Sequence, residues 1–225
     1  MTLPIYGAGL AGLLAGNMLR SLRPKIFEAQ KELPNNHSAL LRFRTDKVGT
    51  ACAIPFRKVN VQKAIWYDGK MHIKPNLMMS NLYSQKVTDA ILSRSINNLE
   101  PVERFIAPPD VISQMASNCH VVYKTGLDKI QLDSHNRIPV ISTIPMPVLM
   151  DILEWRDKPE FPSQEIWTIK AFIDNPDCNV YQTIYYPDPL TESYRISIIG
   201  NVVIAEFIKK PDISIGPYIS SVLRE

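Results

Sequence analysis

A glycine-rich turn near the N-terminus constrains the fold of this 225-residue chain more than any other feature. Its sequence, PIYGAGLAGLLAG at residues 4–16, contains the pattern G-x-G-x-x-G. A short apolar run precedes the turn, and apolar residues at helical spacing follow it from Leu10 to Leu22. The pattern therefore lies between a predicted strand and a predicted helix, which is the context in which it has a structural meaning.

A second strand completes this unit. Pro24 ends the helix, and KIFE at residues 25–28 has the composition of a short buried strand. Strand, helix and strand together form a βαβ unit. We expect Gly7 to form the tight turn, Gly9 to let the backbone approach a pyrophosphate, and Gly12 to allow close helix–strand packing. The helix N-terminus adds N–H groups that favour phosphate.

An acidic residue at the end of the second strand narrows the choice of ligand. Glu28 lies 21 residues after Gly7 and can accept hydrogen bonds from ribose hydroxyls. Its charge disfavours a 2′-phosphate, so NADP is the least favoured dinucleotide, while FAD and NAD stay open. A glycine-rich turn that only packs against a neighbouring element is the alternative. The predicted contacts are Gly7, Ala8, Gly9, Leu10, Ala11, Gly12, Glu28 and Ala29.

Downstream, strand patterns dominate. Asp68-Gly69 predicts a hairpin. Helices are predicted at residues 80–98, 110–118 and within VLMDIL after Pro147; the first carries an apolar stripe at Leu82, Val87, Ile91 and Leu92. Strands are predicted at residues 119–125, 164–173, 179–186 and 193–207, and residues 128–145 as a turn-linked strand pair ending at 139–144.

This order predicts an α/β fold: a Rossmann-like FAD/NAD(P)-binding βαβ layer with an inserted mixed or antiparallel β-sheet substrate region. Residues 1–50 and 110–150 form the predicted dinucleotide-binding region. Residues 51–109 and 151–225 form the predicted inserted region.

Composition excludes several functional classes. The net charge of +3, from 25 basic and 22 acidic residues, is too balanced for a nucleic-acid-binding patch. No apolar run reaches the roughly 18 residues of a membrane span. The three cysteines form no CxxC pattern, so we expect no disulfide framework and no metal site. We expect a cytoplasmic protein, and the sequence leaves its oligomeric state open.

Four segments resemble the two-domain flavoproteins of the glutathione-reductase-like superfamily. They are IYGAGLAGLLAG, KIFEAQ, VVYKTGLDKI and VISTIPMPVLMDIL. The resemblance is strongest to the amine-oxidase-like and UDP-galactopyranose-mutase-like branches. It implies FAD as cofactor, with the pattern glycines at the pyrophosphate, Glu28 at the adenosine ribose and Val122 at the adenine. Thr143, within VISTIP, is also assigned to the cofactor site.

Further segments look like a group of bacteriophage and bacterial FAD/NAD(P)-binding proteins. They are NHSALLRFRTDKVG, IPFRKVNVQKAI, NLYSQKV and YRISIIGNVVIAEF. Amine-oxidase-type flavoproteins carry a glycine-glycine-arginine element after the ribose acid, where this chain has AQKELPNNHSALLRFR. The ending SIGPYISSVLRE only partly matches their flavin-closing segment, so we expect that segment to be shortened here.

Several side chains are candidates for chemistry. Arg42 and Arg44 share one face of an extended segment and suit the cofactor pyrophosphate or an anionic substrate, with solvated loop arginines as the alternative. His37 is a candidate acid or base. Tyr185 and Arg195 belong to an aromatic and cationic cluster that is a candidate surface of a substrate pocket. The alternative is that these are ordinary half-buried residues of a sheet.

Together these features favour an FAD-dependent oxidoreductase, or a mutase-like flavoenzyme, acting on an unknown small, anionic substrate. A non-redox nucleotide-binding or protein-interaction module is the first alternative. An NAD-dependent dehydrogenase is the second, although such enzymes continue with regular βα units, whereas this chain turns to strands after residue 119.

Overall fold

The computed structural model describes residues 2–33, 42–92, 95–135 and 138–212. The chain divides into two compact units. The first consists of Met1–Lys58 and Arg104–Phe161, and the second of Val59–Glu103 and Pro162–Glu225. His37 and the predicted flavin-closing segment lie outside the described residues, so both remain predictions.

The described elements are, in chain order, β1 (Pro4–Tyr6), α1 (Leu10–Met18), β2 (Lys25–Phe27), β3 (Arg42–Phe43), α2 (Lys47–Cys52), β4 (Arg57–Tyr67), β5 (Lys70–His72), α3 (Leu77–Thr88), β6 (Val102–Ile106), α4 (Val111–Ser117), β7 (His120–Val122), α5 (Lys129–Ser134), β8 (Ile141–Ser142), α6 (Met146–Ile152), β9 (Trp167–Phe172), β10 (Tyr181–Tyr185), β11 (Ser193–Ile199) and β12 (Val202–Phe207). Short 3₁₀ helices lie at Arg20–Leu22 and Ser95–Asn97.

A four-stranded parallel sheet forms the base of the first unit. Its order is β7-β2-β1-β8, and each neighbouring pair runs parallel. Numbered within this sheet, the order is 3-2-1-4, which is that of a doubly wound α/β fold. Ligands of such sheets bind at the carboxyl ends of the strands, where the order reverses. That point lies between β1 and β8, beside the glycine-rich turn.

Apolar side chains on one face of this sheet fasten α1 to it. Ile5 of β1, Ile26 of β2, Leu13 of α1 and Met115 of α4 are fully buried in one cluster. A Cβ atom at Gly16 would come within 2.6 Å of Ile26 Cδ1. Glycine at this position therefore lets the helix lie close to the strands, which brings its N-terminus to the end of β1.

The strand pair predicted at residues 128–145 is wrong in its first half, whereas the strand predicted at 139–144 is confirmed as β8. The first half forms helix α5, because the Asp128 side chain accepts a hydrogen bond from Gln131 N at 2.7 Å and caps the helix start. The second half contributes the two-residue strand β8. The capping side chain outweighed the alternation of apolar residues that suggested strands.

The second unit contains a mixed sheet with the order β4-β10-β11-β12-β9, and β5 pairs with β4. Strands β4 and β10 run parallel, whereas the other pairs are antiparallel. The hairpin predicted at Asp68-Gly69 is confirmed, since both residues have positive φ, 51° and 67°. The parallel layer and this mixed sheet confirm the predicted α/β class.

Helix α3 begins and ends earlier than its apolar pattern predicted. Asn76 caps its start by accepting a hydrogen bond from Met79 N at 2.8 Å, and Asp89 ends it with φ of 55°. Ile91 and Leu92, placed on the predicted stripe, lie beyond the helix and are 65% and 57% exposed. The predicted span 80–98 was therefore wrong at both ends.

Candidate functional site

The turn after β1 requires glycine at its first position. Gly7 has φ of 95°, a backbone conformation that L side chains rarely adopt, and its N–H donates to Phe27 O at 2.9 Å. A Cβ atom there would approach Thr143 Oγ1 to 2.7 Å. The conformation and the crowding both support the role predicted for this residue as the tight turn.

The third glycine of the pattern is required by a backbone contact. Gly12 is buried on α1, and a Cβ atom at this position would lie 1.8 Å from the carbonyl oxygen of Gly7. No side-chain movement could relieve that overlap, because the atom belongs to the backbone. Gly12 therefore sets the close approach of the helix to the turn, as the pattern predicted.

Gly9 differs from the other two because the protein itself gives no reason for glycine there. Its φ of −69° and ψ of −178° suit any residue, and a Cβ atom would meet nothing within 4 Å. It is the N-cap of α1, where no side chain caps the helix and the first turn carries no acidic residue. Open space thus faces a helix N-terminus that attracts anions.

Glu28 lies beside the turn, at the end of β2. One carboxylate oxygen accepts the N–H of Ala8 at 2.8 Å, and the other accepts the N–H of Gln30 at 2.9 Å. A carboxylate offers about four acceptor positions. Glu28 therefore retains capacity for ribose hydroxyls while it holds the second residue of the turn, and Ala29 next to it is exposed.

The two remaining predicted cofactor contacts lie on the flanking strands. The carbonyl oxygen of Val122, at the end of β7, accepts Glu28 N at 2.8 Å. Thr143 follows β8, and its hydroxyl donates to the carbonyls of Tyr6 and Gly7 at 3.1 and 3.0 Å. The structure therefore brings Val122, Glu28, the turn and Thr143 together along one edge of the parallel sheet.

The sequence did not indicate a role for Tyr6, a buried tyrosine that ends β1 directly before the glycine-rich turn. The Tyr6 hydroxyl lies 2.9 Å from His135 Nε2, and its ring stacks on Phe27 at a centroid distance of 5.0 Å. Burial, and then the nearby Asp128 carboxylate, raise the pKa of Tyr6. Tyr6 and His135 are 129 residues apart, and no local pattern indicated their pairing.

The two candidate arginines do not share an extended face. Arg42 is half-buried in β3, which pairs with β6 and ends at Phe43. Arg44 lies in the following bend and is exposed. The predicted shared face was wrong, and contact of either arginine with a cofactor or substrate stays a prediction.

The candidate catalytic residues of the second unit lie in a cluster where α3 packs on the sheet. Tyr185 is 6% exposed, and its ring meets that of Tyr83 edge to face at 5.3 Å. Arg195 donates to both carboxylate oxygens of Glu206, and Tyr194 donates to the same carboxylate at 3.3 Å. These contacts join α3, β10, β11 and β12, and catalysis by Tyr185 or Arg195 stays a prediction.

Within the four described ranges, no group of three or more His, Cys, Asp or Glu side chains is placed to hold a metal ion. In the same part of the chain, no helix has both the length and the apolar character needed to cross a bilayer.

No family model matches the sequence, and no curated protein matches it. Several solved structures share its fold at low sequence identity. An oxidoreductase from Methanosarcina mazei aligns over 100% of this chain and 82% of its own, with a TM-score of 0.60 and 12% identity. A reduced UDP-galactopyranose mutase aligns over 92% of this chain and 74% of its own, with a TM-score of 0.58 and 14% identity.

A third structure is that of a probable FAD-dependent monooxygenase from Pseudomonas aeruginosa. It aligns over 92% of this chain with a TM-score of 0.51 and 11% identity, and the aligned part is 60% of its own length. Identities this low establish shared architecture and nothing finer. The chain shares with these structures an α/β fold that contains a parallel βαβ layer and a mixed sheet.

Proposed function

We propose that the first unit binds FAD and that the protein is an FAD-dependent oxidoreductase, or a mutase-like flavoenzyme, acting on a small anionic substrate. The observation that carries the proposal is the open space at Gly9. Glycines that serve only packing are surrounded by protein atoms, as Gly7 and Gly12 are, whereas Gly9 faces nothing within 4 Å. A pyrophosphate at the start of α1 accounts for that absence.

The chain offers a matching set of contacts for the rest of the adenosine half. Glu28 would accept the ribose hydroxyls, and the backbone at Val122 would lie near the adenine. Bound FAD supplies hydride or electron transfer, while the protein binds and orients it. Arg42 and Arg44 are the proposed contacts for negative charge on the pyrophosphate or the substrate, because guanidinium groups suit phosphate and carboxylate.

Segments such as NLYSQKV and YRISIIGNVVIAEF support membership of the group of bacteriophage and bacterial FAD/NAD(P)-binding proteins. The three cysteines are unpaired thiols, which supports a cytoplasmic location.

A visible absorption spectrum of the purified protein, followed by titration with FAD, tests the proposal. We expect flavin bands in the protein as purified or after added FAD. A protein that takes up no FAD contradicts it. Titration with NAD then separates the alternatives: NAD binding favours a dehydrogenase, and failure with both dinucleotides favours a non-redox module.

Gly9→Asp is expected to weaken FAD binding at least about tenfold without lowering the melting temperature. Asp is a favoured N-cap residue and its Cβ meets open space, so the fold tolerates it. Its charge and volume occupy the proposed pyrophosphate position. Affinity is measured by flavin fluorescence and stability by thermal unfolding. The matched control is Ser21→Asp, which adds the same charge in the short 3₁₀ helix that follows α1. Unchanged affinity in Gly9→Asp would remove the assignment of this loop.

A further inference from the structure

We propose that Thr143 is a positioning residue of the dinucleotide site, and that its hydroxyl holds the glycine-rich turn in the binding conformation before the ligand arrives. This inference rests on the proposed function, and it gives Thr143 a role different from the direct cofactor contact predicted from the sequence. It concerns the link between β8 and the turn that follows β1.

The hydrogen bonds of Thr143 point to the turn. Its hydroxyl oxygen lies within donating distance of the carbonyl oxygens of Tyr6, at 3.1 Å, and Gly7, at 3.0 Å. Its backbone N–H donates to the same Tyr6 oxygen at 2.8 Å. A hydroxyl has one donor hydrogen. The donor of Thr143 is therefore committed to the backbone of the turn.

The packing around Thr143 Oγ1 shows that the turn is built against this atom. A Cβ atom at Gly7 would lie 2.7 Å from Thr143 Oγ1, and a Cβ atom at Gly12 would lie 3.0 Å from it. Two of the three pattern glycines thus leave room for the threonine hydroxyl. The hydroxyl in turn gives the Gly7 carbonyl a partner while Gly7 holds its positive φ.

A second side chain holds the same turn from the opposite side. The Glu28 carboxylate accepts the N–H of Ala8, so β2 fastens the residue that follows Gly7. Thr143 and Glu28 therefore hold the two ends of one peptide group, that between Gly7 and Ala8, from the two strands that flank β1. A turn fixed in this way does not have to be ordered when a ligand binds, which increases affinity.

The first test measures the turn itself and needs no ligand. Hydrogen exchange at the Gly7 and Ala8 amides is compared in the wild-type protein, Thr143→Val and Thr143→Ser. We expect Val, which keeps the volume and branching but lacks the donor, to accelerate exchange at both amides about tenfold. Ser keeps the donor and is expected to match the wild type. Unchanged exchange in Thr143→Val would overturn the inference.

The second test measures affinity for FAD and for ADP, which carries the pyrophosphate and adenosine parts alone. We expect Thr143→Val to weaken both about tenfold and Thr143→Ser to restore wild-type binding within about twofold. Ile141→Val, in the same strand, serves as a control that lowers stability without changing the hydroxyl. A purely structural role predicts that Thr143→Val and Ile141→Val alter the melting temperature and leave affinity unchanged, which would also overturn the inference.

The two tests separate this inference from the proposed function. If the wild-type protein binds neither FAD nor ADP, the proposed function fails, whereas the exchange measurement still decides whether Thr143 positions the turn. If the wild-type protein binds both and Thr143→Val binds equally well, the proposed function stands and the inference fails.

Discussion

Gly12→Ala is expected to lower the free energy of unfolding by about 3 kcal/mol, at the upper end of what overpacking costs. The added Cβ atom would lie 1.8 Å from the Gly7 carbonyl oxygen, so α1 or the turn has to move. Alanine is the better helix former by roughly 1 kcal/mol, and a loss of stability would therefore show that the contact outweighs propensity. Urea unfolding followed by circular dichroism measures the change.

Gly9→Ala is the matched control, since it is the same substitution three residues earlier in the same turn. Its Cβ meets open space and its φ of −69° suits alanine, so we expect a change of less than about 0.5 kcal/mol. Equal losses in the two variants would contradict the geometry described for α1. The FAD affinity of Gly9→Ala is a separate measurement. If it equals that of the wild type, one methyl group fits beside the pyrophosphate, and the larger Gly9→Asp substitution is the stricter test of this position.

The parts of the site that the sequence predicted are those specified by short-range patterns. The turn, the start of α1 and the end of β2 lie within 25 residues, and each carries its own signal: glycines, helical spacing and an acid after an apolar run. Because a βαβ unit has few ways to connect, these signals also determine the parallel pairing of β1 with β2. Val122 and Thr143 also lie at this edge, and their contact with a cofactor stays a prediction.

The errors in the fold arose where capping or turn residues competed with apolar spacing. Asn76 and Asp128 each cap a helix, yet the apolar residues around them suggested a later start for α3 and strands in place of α5. The predicted strand at residues 193–207 is two strands, β11 and β12, which turn at Gly200 with φ of 57°. The Gly200-Asn201 pair was a hairpin signal that the sequence interpretation did not use.

Long-range pairs were beyond any local pattern. Tyr6, in β1, meets His135, which follows α5 and lies 129 residues later in the chain. Strand β10 also pairs in parallel with β4, more than 100 residues earlier. Sequence spacing carries no record of such contacts. The Arg195–Glu206 pair is different, because it spans 11 residues across the β11–β12 hairpin and the Gly200-Asn201 turn signal could have located it.

A long-range contact of the same kind joins α3 to the β10–β11 connection. Lys86, in the last turn of α3, brings its ammonium group within hydrogen-bond distance of four backbone carbonyls in the β10–β11 connection. They are those of Tyr186, Asp188, Thr191 and Ser193, at 3.0, 2.7, 2.6 and 2.8 Å. The Lys86 side chain thereby joins helix α3 to the loop that connects β10 and β11 in the mixed sheet.

Lys86→Met is expected to lower the free energy of unfolding by about 2–3 kcal/mol, because it leaves partly buried carbonyls without their hydrogen-bond donor while keeping the length of the side chain. Urea unfolding measures the loss. Lys74→Met removes an exposed lysine from the same unit and is expected to change stability by less than about 0.5 kcal/mol. Equal effects of the two substitutions would show that the carbonyl contacts contribute nothing beyond the loss of one positive charge.

The pH dependence of this difference tests the electrostatics of the contact. Burial lowers the pKa of Lys86 to about 8, against the opposing effect of the Asp188 carboxylate, whereas a lysine in the unfolded chain has a pKa near 10.5. Between these two values the unfolded chain retains a proton that the folded chain releases, so the stability of the wild type rises with pH relative to Lys86→Met. We expect the gap between the two proteins to widen from pH 7 to pH 10, by at most roughly 1 kcal/mol per pH unit because Lys86 is partly exposed. A gap that narrows over that range would mean that the four carbonyls stabilise the ammonium form more than burial destabilises it, and that the folded protein keeps Lys86 charged.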